Sequence, residues 1–181
     1  LGPGDTSLTR QDADDTSMAT LVERAQAGEQ AAFATLVETY GDRIYSYLAR
    51  MLSDREEAQD LAQETFVRAW ESMGRFRGGA SFGTWLYRIA TNLAIDALRR
   101  KRRRSVEQSL DAPIESAEGH TEWQIRDPDR PPDEQAASRE LTREVWRAVG
   151  EMAPKLRAVL IMYDFQQMSY EEISQSLSVP L

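Results

Sequence analysis

The stretch TWLYRIATNLAIDALRRKRRR, residues 84–104, decides the fold class of this 181-residue chain. Apolar residues recur in it at steps of three and four, which is the spacing of a helix with a buried side. On an ideal helix Leu86 and Leu93 lie on one side, and Tyr87 and Leu98 lie on a second. The stretch therefore predicts a helix that is buried on two sides.

A narrow polar stripe remains on this helix, and a block of cations follows it. The stripe consists of Trp85, Arg88, Asn92, Asp96 and Arg99. The block consists of Arg99, Arg100, Lys101, Arg102, Arg103 and Arg104. Taken alone, these residues fit two interpretations equally. One is a solvated face with an unfolded solubilising tail. The other is a nucleic-acid surface, because cations neutralise phosphates and amides read base edges.

Aromatic and cationic side chains alternate in the loop before this helix. Phe76, Phe82 and Trp85 lie within ten residues of three glycines and of Arg75 and Arg77. Aromatic rings interleaved with cations on a flexible loop suit unstacked, single-stranded bases better than a closed duplex. The loop therefore favours the nucleic-acid interpretation, with a core position for Phe76 as the alternative.

The composition excludes several classes of protein. The net charge is −8, with no cysteine and a single histidine, His120, in a polar stretch. Disulfides and thiolate metal sites are therefore excluded. No window approaches the roughly 18 apolar residues of a membrane span, and the N-terminus lacks the apolar core of a signal peptide. We expect a soluble, cytoplasmic protein without membrane insertion.

An enzyme is the least favoured class. Glu56 and Glu57 lie near Asp60 and Glu64 and could be imagined as metal ligands. Because no histidine is close by, a solvated helix face explains these carboxylates more simply. We expect no catalytic residues, no cofactor and no metal.

Helical patterns flank a long irregular stretch. Residues 1–16 show no periodicity, and we expect them to be disordered. Residues 105–136 hold four of the seven prolines, and residues 105–135 carry a net charge of −7, against +6 for residues 81–104. A structureless connection of that length is improbable inside a compact domain. The sequence predicts an all-α protein with two small helical domains, residues 17–104 and 137–181, joined by a flexible acidic linker.

Helical stripes and capping signals support this division. Asp54 with Glu57, and Ser169 with Glu172, fit N-terminal capping boxes. Two apolar stripes of helical period predict buried faces. They consist of Phe33, Leu36, Val37, Tyr40, Ile44, Tyr47, Leu48 and Met51 in the first domain, and of Leu141, Val145, Ala148, Val149 and Met152 in the second.

Three segments together resemble bacterial RNA polymerase sigma factors of the extracytoplasmic-function group. They are DLAQETFVRAW, FRGGASFGTWLYRIATNLAIDALRRKRR and LRAVLIMYDFQQMSYEEISQSLSVPL, in the family's order and spacing. The resemblance covers about residues 18–104 and 138–181. It implies a detachable subunit that directs core RNA polymerase to promoters, with one domain for the minus-10 element and a helix-turn-helix domain for the minus-35 element.

The resemblance implies roles for particular residues. Asp60, Gln63 and Glu64 match the family's D-x-x-Q-E motif, which docks on the clamp coiled coil of the largest polymerase subunit; a Glu64–Arg68 ion pair within the helix is the alternative. The minus-10 element, with its single-stranded nontemplate strand and a flipped base, would be read by Arg75, Phe76, Phe82, Trp85, Arg88, Asn92 and Asp96. A structural role for Asp96 is equally compatible. The cation block would hold duplex phosphates.

The second domain departs from the family pattern. Ser169, Tyr170, Glu171 and Glu172 match the start of the helix-turn-helix. Gln167 and Ser178 stand where the family commonly has glycine, and Ser174 replaces alanine. The family continues past SVPL into a recognition helix, so we expect the chain as given to read the minus-35 element poorly.

Two further interpretations concern partners. A stand-alone helix-turn-helix regulator would bind duplex DNA without polymerase, but it needs neither the acidic face nor the aromatic loop. The family resemblance also implies an anti-sigma factor as an additional partner. The acidic linker would imitate nucleic acid in a basic polymerase channel, with ordinary acidic disorder as the alternative.

Overall fold

The computed structural model describes residues 17–109 and 132–180, with side chains at residues 17–105 and 140–180. Within these ranges the chain forms helices and turns and no strand, which confirms the all-α prediction. The predicted disordered tail, His120 and residues 110–131 of the predicted linker lie outside the described residues.

The helices follow one another in a simple order. Helix α1 occupies residues 17–26. The later helices are α2 (Gln30–Leu52), α3 (Arg55–Ser72), a 3-10 turn (Met73–Arg75), α4 (Phe82–Ser109), α5 (Pro132–Glu151), α6 (Pro154–Asp164) and α7 (Tyr170–Leu177).

The predicted apolar stripe of α2 forms the centre of the core. Its fully buried members are Leu36, Ile44, Tyr47, Leu48 and Met51. Its remaining members, Phe33, Val37 and Tyr40, are half-buried and pack against the same core. Helices α3 and α4 pack against α2. The period of the sequence therefore predicted this face correctly.

Both predicted helix starts are present. The side chain of Asp54 accepts a hydrogen bond from the backbone N–H of Glu57 at 3.1 Å. At α7 the capping is reciprocal: the Glu172 N–H donates to the Ser169 hydroxyl, and the Ser169 N–H donates to the Glu172 carboxylate. These bonds satisfy backbone donors that have no partner inside the helix, and they fix where α3 and α7 begin.

Helix α4 is buried on two sides, as predicted. Leu86 and Leu93 are buried on one side, and Tyr87 and Ala94 on the other. The helix continues through the cation block to Ser109, five residues into the stretch predicted as linker. The interpretation of the block as an unfolded tail is therefore wrong.

Helix α5 differs from the prediction. It begins at Pro132, earlier than the sequence pattern indicated. Leu141 is 63% exposed and Val145 is 51% exposed, although the pattern placed both in a core. Val149 is buried, so the helix packs by its C-terminal turns. A period of 3.6 predicts an apolar face but does not predict whether another element reaches it.

Helices α6 and α7 pack against α2 and α4. Their buried side chains belong to the same hydrophobic cluster as those of α2. These side chains are Ala158, Ile161, Met162 and Ile173, and Met168 in the turn between the two helices joins the same cluster. The two predicted domains therefore share one core in this structure, and their separability stays a prediction.

A buried arginine joins α6 to both α2 and α5. Arg157 donates from Nη1 to the carbonyl of Met51 at 2.5 Å and from Nε to the carbonyl of Val149 at 3.0 Å. Its second terminal nitrogen donates to the carbonyl of Gly150. Desolvation by burial lowers the pKa of Arg157. Its charge is compensated by three backbone dipoles at the ends of α2 and α5, where carbonyls have no partner inside the helix.

Two side-chain bonds join α4 to the second half of the chain. The Tyr87 hydroxyl donates to the Gln166 side-chain oxygen at 2.5 Å. The Ser176 hydroxyl donates to the Thr84 carbonyl at 3.0 Å. Both Gln166 and Ser176 are buried, so each bond satisfies a polar group that has left water.

The two positions that replace family glycines adopt left-handed backbone conformations. Gln167 has φ +55° and Ser178 has φ +53°. Ser178 ends α7, and this conformation is typical of the residue after a helix. A side chain in this region costs about 1–2 kcal/mol relative to glycine.

Replacing Arg157 by methionine should lower the free energy of unfolding by about 2–4 kcal/mol, because three carbonyls lose their donor. Urea denaturation measures this value. Arg147→Met, at an exposed position of α5, is the matched control and should change it by less than about 0.5 kcal/mol. Equal, small effects of the two substitutions would contradict the role of Arg157.

Replacing Ser178 by glycine should raise the free energy of unfolding by about 1 kcal/mol, because glycine adopts a positive φ without strain. The midpoint of thermal unfolding should rise by about 2–4 °C. Gln175→Gly, inside α7, should instead lower it, because glycine disfavours a helix interior. A lower midpoint for Ser178→Gly would contradict the strain at this position.

Candidate nucleic-acid interface

Four aromatic rings form a cluster between α2 and the loop before α4. The Phe76 ring lies 5.1 Å from Trp85 and 6.1 Å from Phe82, centre to centre. Phe82 also contacts Trp85 at 5.7 Å and Tyr40 at 5.5 Å. Phe82 is only 4% exposed, whereas Phe76 and Trp85 are half-buried. The cluster therefore has a buried support, Phe82, and two rings that reach the surface.

The resemblance implies that the Phe82 ring contacts DNA, and this contact stays a prediction. In this structure the other three rings of the cluster cover Phe82. Close packing explains the coverage, because Gly83 lets the Tyr40 ring approach: a Cβ at Gly83 would lie 3.0 Å from a Tyr40 ring carbon.

The start of α4 is held by a serine. The Thr84 N–H donates to the Ser81 hydroxyl at 3.1 Å, and the Trp85 N–H donates to the Ser81 carbonyl at 3.0 Å. Ser81 therefore acts as the N-terminal cap that fixes the first turn, which carries Trp85.

The polar stripe of α4 faces solvent. Arg88, Asn92, Asp96 and Arg99 are all exposed. Asp96 forms an ion pair with Arg99, with 3.5 Å between the carboxylate oxygen and the guanidinium nitrogen. Because both partners are largely exposed, the pair contributes little to stability. Asp96 thus has a structural partner, and Arg88 and Asn92 present hydrogen-bonding groups to the surroundings.

The opposite side of α4 is held by buried polar contacts. The hydroxyls of Tyr47 and Thr91 lie 2.7 Å apart, and the Thr91 hydroxyl donates to the Tyr87 carbonyl. The Tyr47 and Tyr87 rings meet edge to face at 5.3 Å. Burial raises the pKa of Tyr87 to about 12, so its hydroxyl stays protonated at neutral pH. These contacts fix the rotation of α4 and hence the direction of its polar stripe.

A polar pocket of about 410 Å³ lies between α3 and α4. It brings together two residues that the resemblance assigned to DNA, Arg75 and Asn92. Sequence reasoning missed Arg68, Glu71 and Ser72, which also line it. Arg68 appeared only as a possible partner of Glu64, and its helical spacing from Ser72 and Arg75 was the signal that could have indicated a shared face.

The cation block extends the same helix away from the aromatic cluster. All six of its residues, Arg99 to Arg104, are exposed. Six consecutive cations on a helix distribute around its axis, so some of them face any neighbouring anionic surface.

The acidic docking motif lies on α3. Asp60 and Gln63 are exposed, and Glu64 is half-buried. Glu64 accepts a hydrogen bond from Arg68 at 2.7 Å, so the predicted alternative of an intrahelical ion pair is present. The pair is partly exposed and therefore weak enough to exchange for another cationic partner.

Beside this motif lies an apolar groove of about 590 Å³ between α2 and α3. Gln63 borders both the motif and the groove. The remaining lining residues are Val37, Gly41, Tyr45, Gln59, Ala62 and Phe66. The motif therefore adjoins a surface that could receive an apolar side chain of a partner.

The helix-turn-helix residues form an exposed end of the molecule. Ser169 and Glu172 complete the cap described above, and Tyr170 and Glu171 are exposed. The Tyr170 ring stacks on that of Tyr163 at 5.0 Å. A hydrogen bond between the two side chains raises the pKa of Tyr170.

In residues 17–109 and 132–180, no group of three or more His, Asp or Glu residues is arranged as a metal site. Over the same described residues, no helix has the length and apolar content to cross a membrane.

Comparison with known families defines the class of protein. Residues 36–104 match the family description "Sigma-70 region 2", and residues 142–181 match "Sigma-70, region 4". The ECF RNA polymerase sigma factor SigW of Bacillus subtilis is 36% identical over 161 residues, covering 88% of this chain and 84% of that protein. The RNA polymerase sigma-H factor of Pseudomonas aeruginosa is 37% identical over 164 residues, covering 89% and 82%.

Solved structures share the fold. The chain resembles CnrH in complex with the cytosolic domain of CnrY, with a TM-score of 0.62 and 24% identity over 90% of this chain and 84% of that chain. It also resembles the sigma factor RpoE in complex with the anti-sigma factor NepR from Bartonella quintana, with a TM-score of 0.58 and 22% identity over 82% and 84%.

The chain belongs to the sigma-70 family of transcription initiation factors and is of the extracytoplasmic-function type. Proteins of this family regulate RNA polymerase and are not catalysts, so the carboxylates near Asp60 need no catalytic explanation.

Proposed function

We propose that this sigma factor binds core RNA polymerase through α3 and opens the minus-10 element with α4 and the loop before it. The observation that carries the proposal is the single polar stripe of α4. Its residues from Arg88 onward stay exposed, while the other sides of α4 before the cation block are buried or half-buried. The stripe begins at the half-buried Trp85 ring, beside Phe76, which is the arrangement expected of a surface for opened DNA.

The aromatic cluster would capture unstacked bases. Phe76 and Trp85 offer ring surface, and Phe82 supports both from beneath. Stacking of a base on an aromatic side chain contributes about 1–3 kcal/mol. Extruding a base from the duplex costs a few kcal/mol, so two stacking rings supply a contribution of the required size.

The pocket between α3 and α4 would receive a flipped base. Its volume of about 410 Å³ falls in the range of sites that hold small organic ligands. The Asn92 amide carries both donors and acceptors for a base edge, and Arg75 carries donors for a base or a phosphate. We assign Arg88 to the same strand, and Asp96 to the orientation of Arg99.

The cation block would hold duplex phosphates without reading sequence. Each neutralised phosphate releases counterions, so binding through this block should weaken steeply with salt. In a longer chain the second helical region would contact the minus-35 element through a recognition helix that follows α7 (Tyr170–Leu177).

Docking on polymerase would use Asp60, Gln63 and Glu64. Their carboxylates and amide complement a basic partner helix, and the neighbouring apolar groove would accept one of its apolar side chains. The partner we propose is the clamp coiled coil of the largest polymerase subunit. The protein would then act in the cytoplasm, where the polymerase transcribes the chromosome.

An anti-sigma factor is a further proposed partner. Support comes from the sigma factor RpoE, which was solved in complex with the anti-sigma factor NepR. The acidic stretch 105–135, with a net charge of −7, would place its linker part in a basic channel of the polymerase in place of nucleic acid.

The test of this function is transcription in vitro. A library of promoter fragments with randomised minus-10 sequences is transcribed by core polymerase with and without the protein. We expect the protein to select a defined minus-10 sequence and to initiate only with core enzyme. Tight, specific binding of duplex DNA by the protein alone, without initiation, would instead favour a stand-alone regulator.

Different substitutions should affect promoter opening and binding to core polymerase independently. Asn92→Ala should reduce open-complex formation about 5- to 100-fold, the loss expected for one or two base contacts, and leave core affinity unchanged. Permanganate reactivity of unpaired thymines measures open-complex formation, and fluorescence anisotropy measures core affinity. Gln30→Ala, exposed on α2, is the control. Equal losses of both activities would contradict the assignment of Asn92.

Asp60→Ala combined with Glu64→Ala should instead lower the affinity for core polymerase without a direct effect on the opening of DNA. We expect core affinity to fall at least tenfold, because two charge-assisted contacts are removed. The control pair Glu140→Ala with Glu144→Ala has the same spacing and charge change on an exposed part of α5. Unchanged core affinity in the Asp60 and Glu64 variant would remove this face from the docking site.

A further inference from the structure

Gln26, at the end of α1, reaches the loop that carries the aromatic cluster. Its side-chain nitrogen donates to the carbonyl of Phe76 at 2.7 Å and to the carbonyl of Met73 at 3.4 Å. The two carbonyls lie about 50 residues further along the chain, so the contact is tertiary. The family resemblance assigns no role to this residue.

The end of α1 is itself held in place. Val22 and Ala25 are buried in the core. Gly28 turns the chain with φ +89°, and its N–H donates to the carbonyl of Ala25 at 3.0 Å. Across this turn Arg24 donates from Nε to the Glu29 carboxylate at 2.8 Å. Gln26 is therefore presented to the loop from a fixed helix end.

Besides the ring contacts of Phe76, a local turn holds the backbone at this point. The Phe76 N–H donates to the Met73 carbonyl at 3.1 Å and closes the 3-10 turn. After Phe76 come Gly78, with φ +69°, and Gly79, neither of which brings a side chain to pack. The bond from Gln26 thus holds the carbonyl of the residue whose ring contacts both Phe82 and Trp85.

We propose that Gln26 is a positioning residue that fixes the Phe76 ring in the orientation needed to capture an unstacked base. This inference rests on the proposed function of the loop. Gln26 acts through the Phe76 backbone and has no contact with DNA in the proposal.

The chemistry of the side chain suits this role. A carboxamide carries two N–H donors on one nitrogen, and here both point to carbonyl acceptors. Glutamate has the same shape but only acceptors when ionised, so it would repel the two carbonyls. Methionine has a similar length and no N–H donor. Either substitution removes the anchor while leaving the exposed position filled.

The experiment compares Gln26→Glu and Gln26→Met with the unchanged protein in the full chain. Hydrogen exchange of the segment 73–81 should become faster in both variants, because one anchor of the loop is lost. Open-complex formation with core polymerase should fall about three- to tenfold, the loss expected for one hydrogen bond. Core affinity should stay unchanged, and the midpoint of thermal unfolding should fall by no more than about 4 °C, because Gln26 is exposed and contributes one hydrogen bond but no core packing.

Gln30→Glu and Gln30→Met are the matched controls, since Gln30 is an exposed glutamine at the start of α2. Both should behave as the unchanged protein in every measurement. Unaltered exchange and promoter opening in both Gln26 variants would overturn the proposal. A parallel fall of core affinity, or a fall of the unfolding midpoint by more than about 4 °C, would also overturn it, because the effect would then be global. Failure of the unchanged protein to initiate with core enzyme would overturn the proposed function itself.

Discussion

The burial of α4 on two sides is the constraint on which the rest of the structure depends. Helices α2 and α3 cover it from one direction, and α6 and α7 cover it from another. Because Tyr87 and Thr91 are locked by buried hydrogen bonds, the helix has no freedom to rotate. Its remaining polar side must therefore face solvent at a fixed angle to the aromatic loop. A surface prepared in this way would lose little conformational entropy in binding the proposed DNA strand.

The second half of the chain is held to the first by polar groups as well as by apolar packing. Arg157, Gln166 and Ser176 are buried, and each bonds a group in α2 or α4. Buried polar contacts of this kind specify one relative placement, because any shift leaves a desolvated group without a partner. The same contacts must be exchanged for water if the two regions separate on a promoter. Their separation would then be cooperative rather than gradual.

Local patterns in the sequence predicted what is local in the structure. The stripe of α2, the two sides of α4 and the cap at Ser169 follow from spacing alone, because each depends on residues within a few turns. In the sequence Arg157 cannot be told from an ordinary surface cation. Its acceptors are backbone carbonyls, which leave no mark in the sequence, and one of them is 106 residues away. Leu141 was misplaced for a related reason. Its environment depends on which element packs nearby, and the helical period carries no information on that choice.

Because α4 is one continuous helix, it fixes the distance between the aromatic cluster and the cation block. Trp85 and Arg104 lie 19 residues apart on one continuous helix, so about 28 Å separates them along its axis. Successive base pairs of duplex DNA are spaced by about 3.4 Å, and this distance corresponds to about eight of them. If both ends of α4 contact DNA as proposed, the helix would set the distance between the two contacts. An opened strand at one end and paired phosphates at the other would be kept at a constant interval, set by backbone geometry rather than by any side chain.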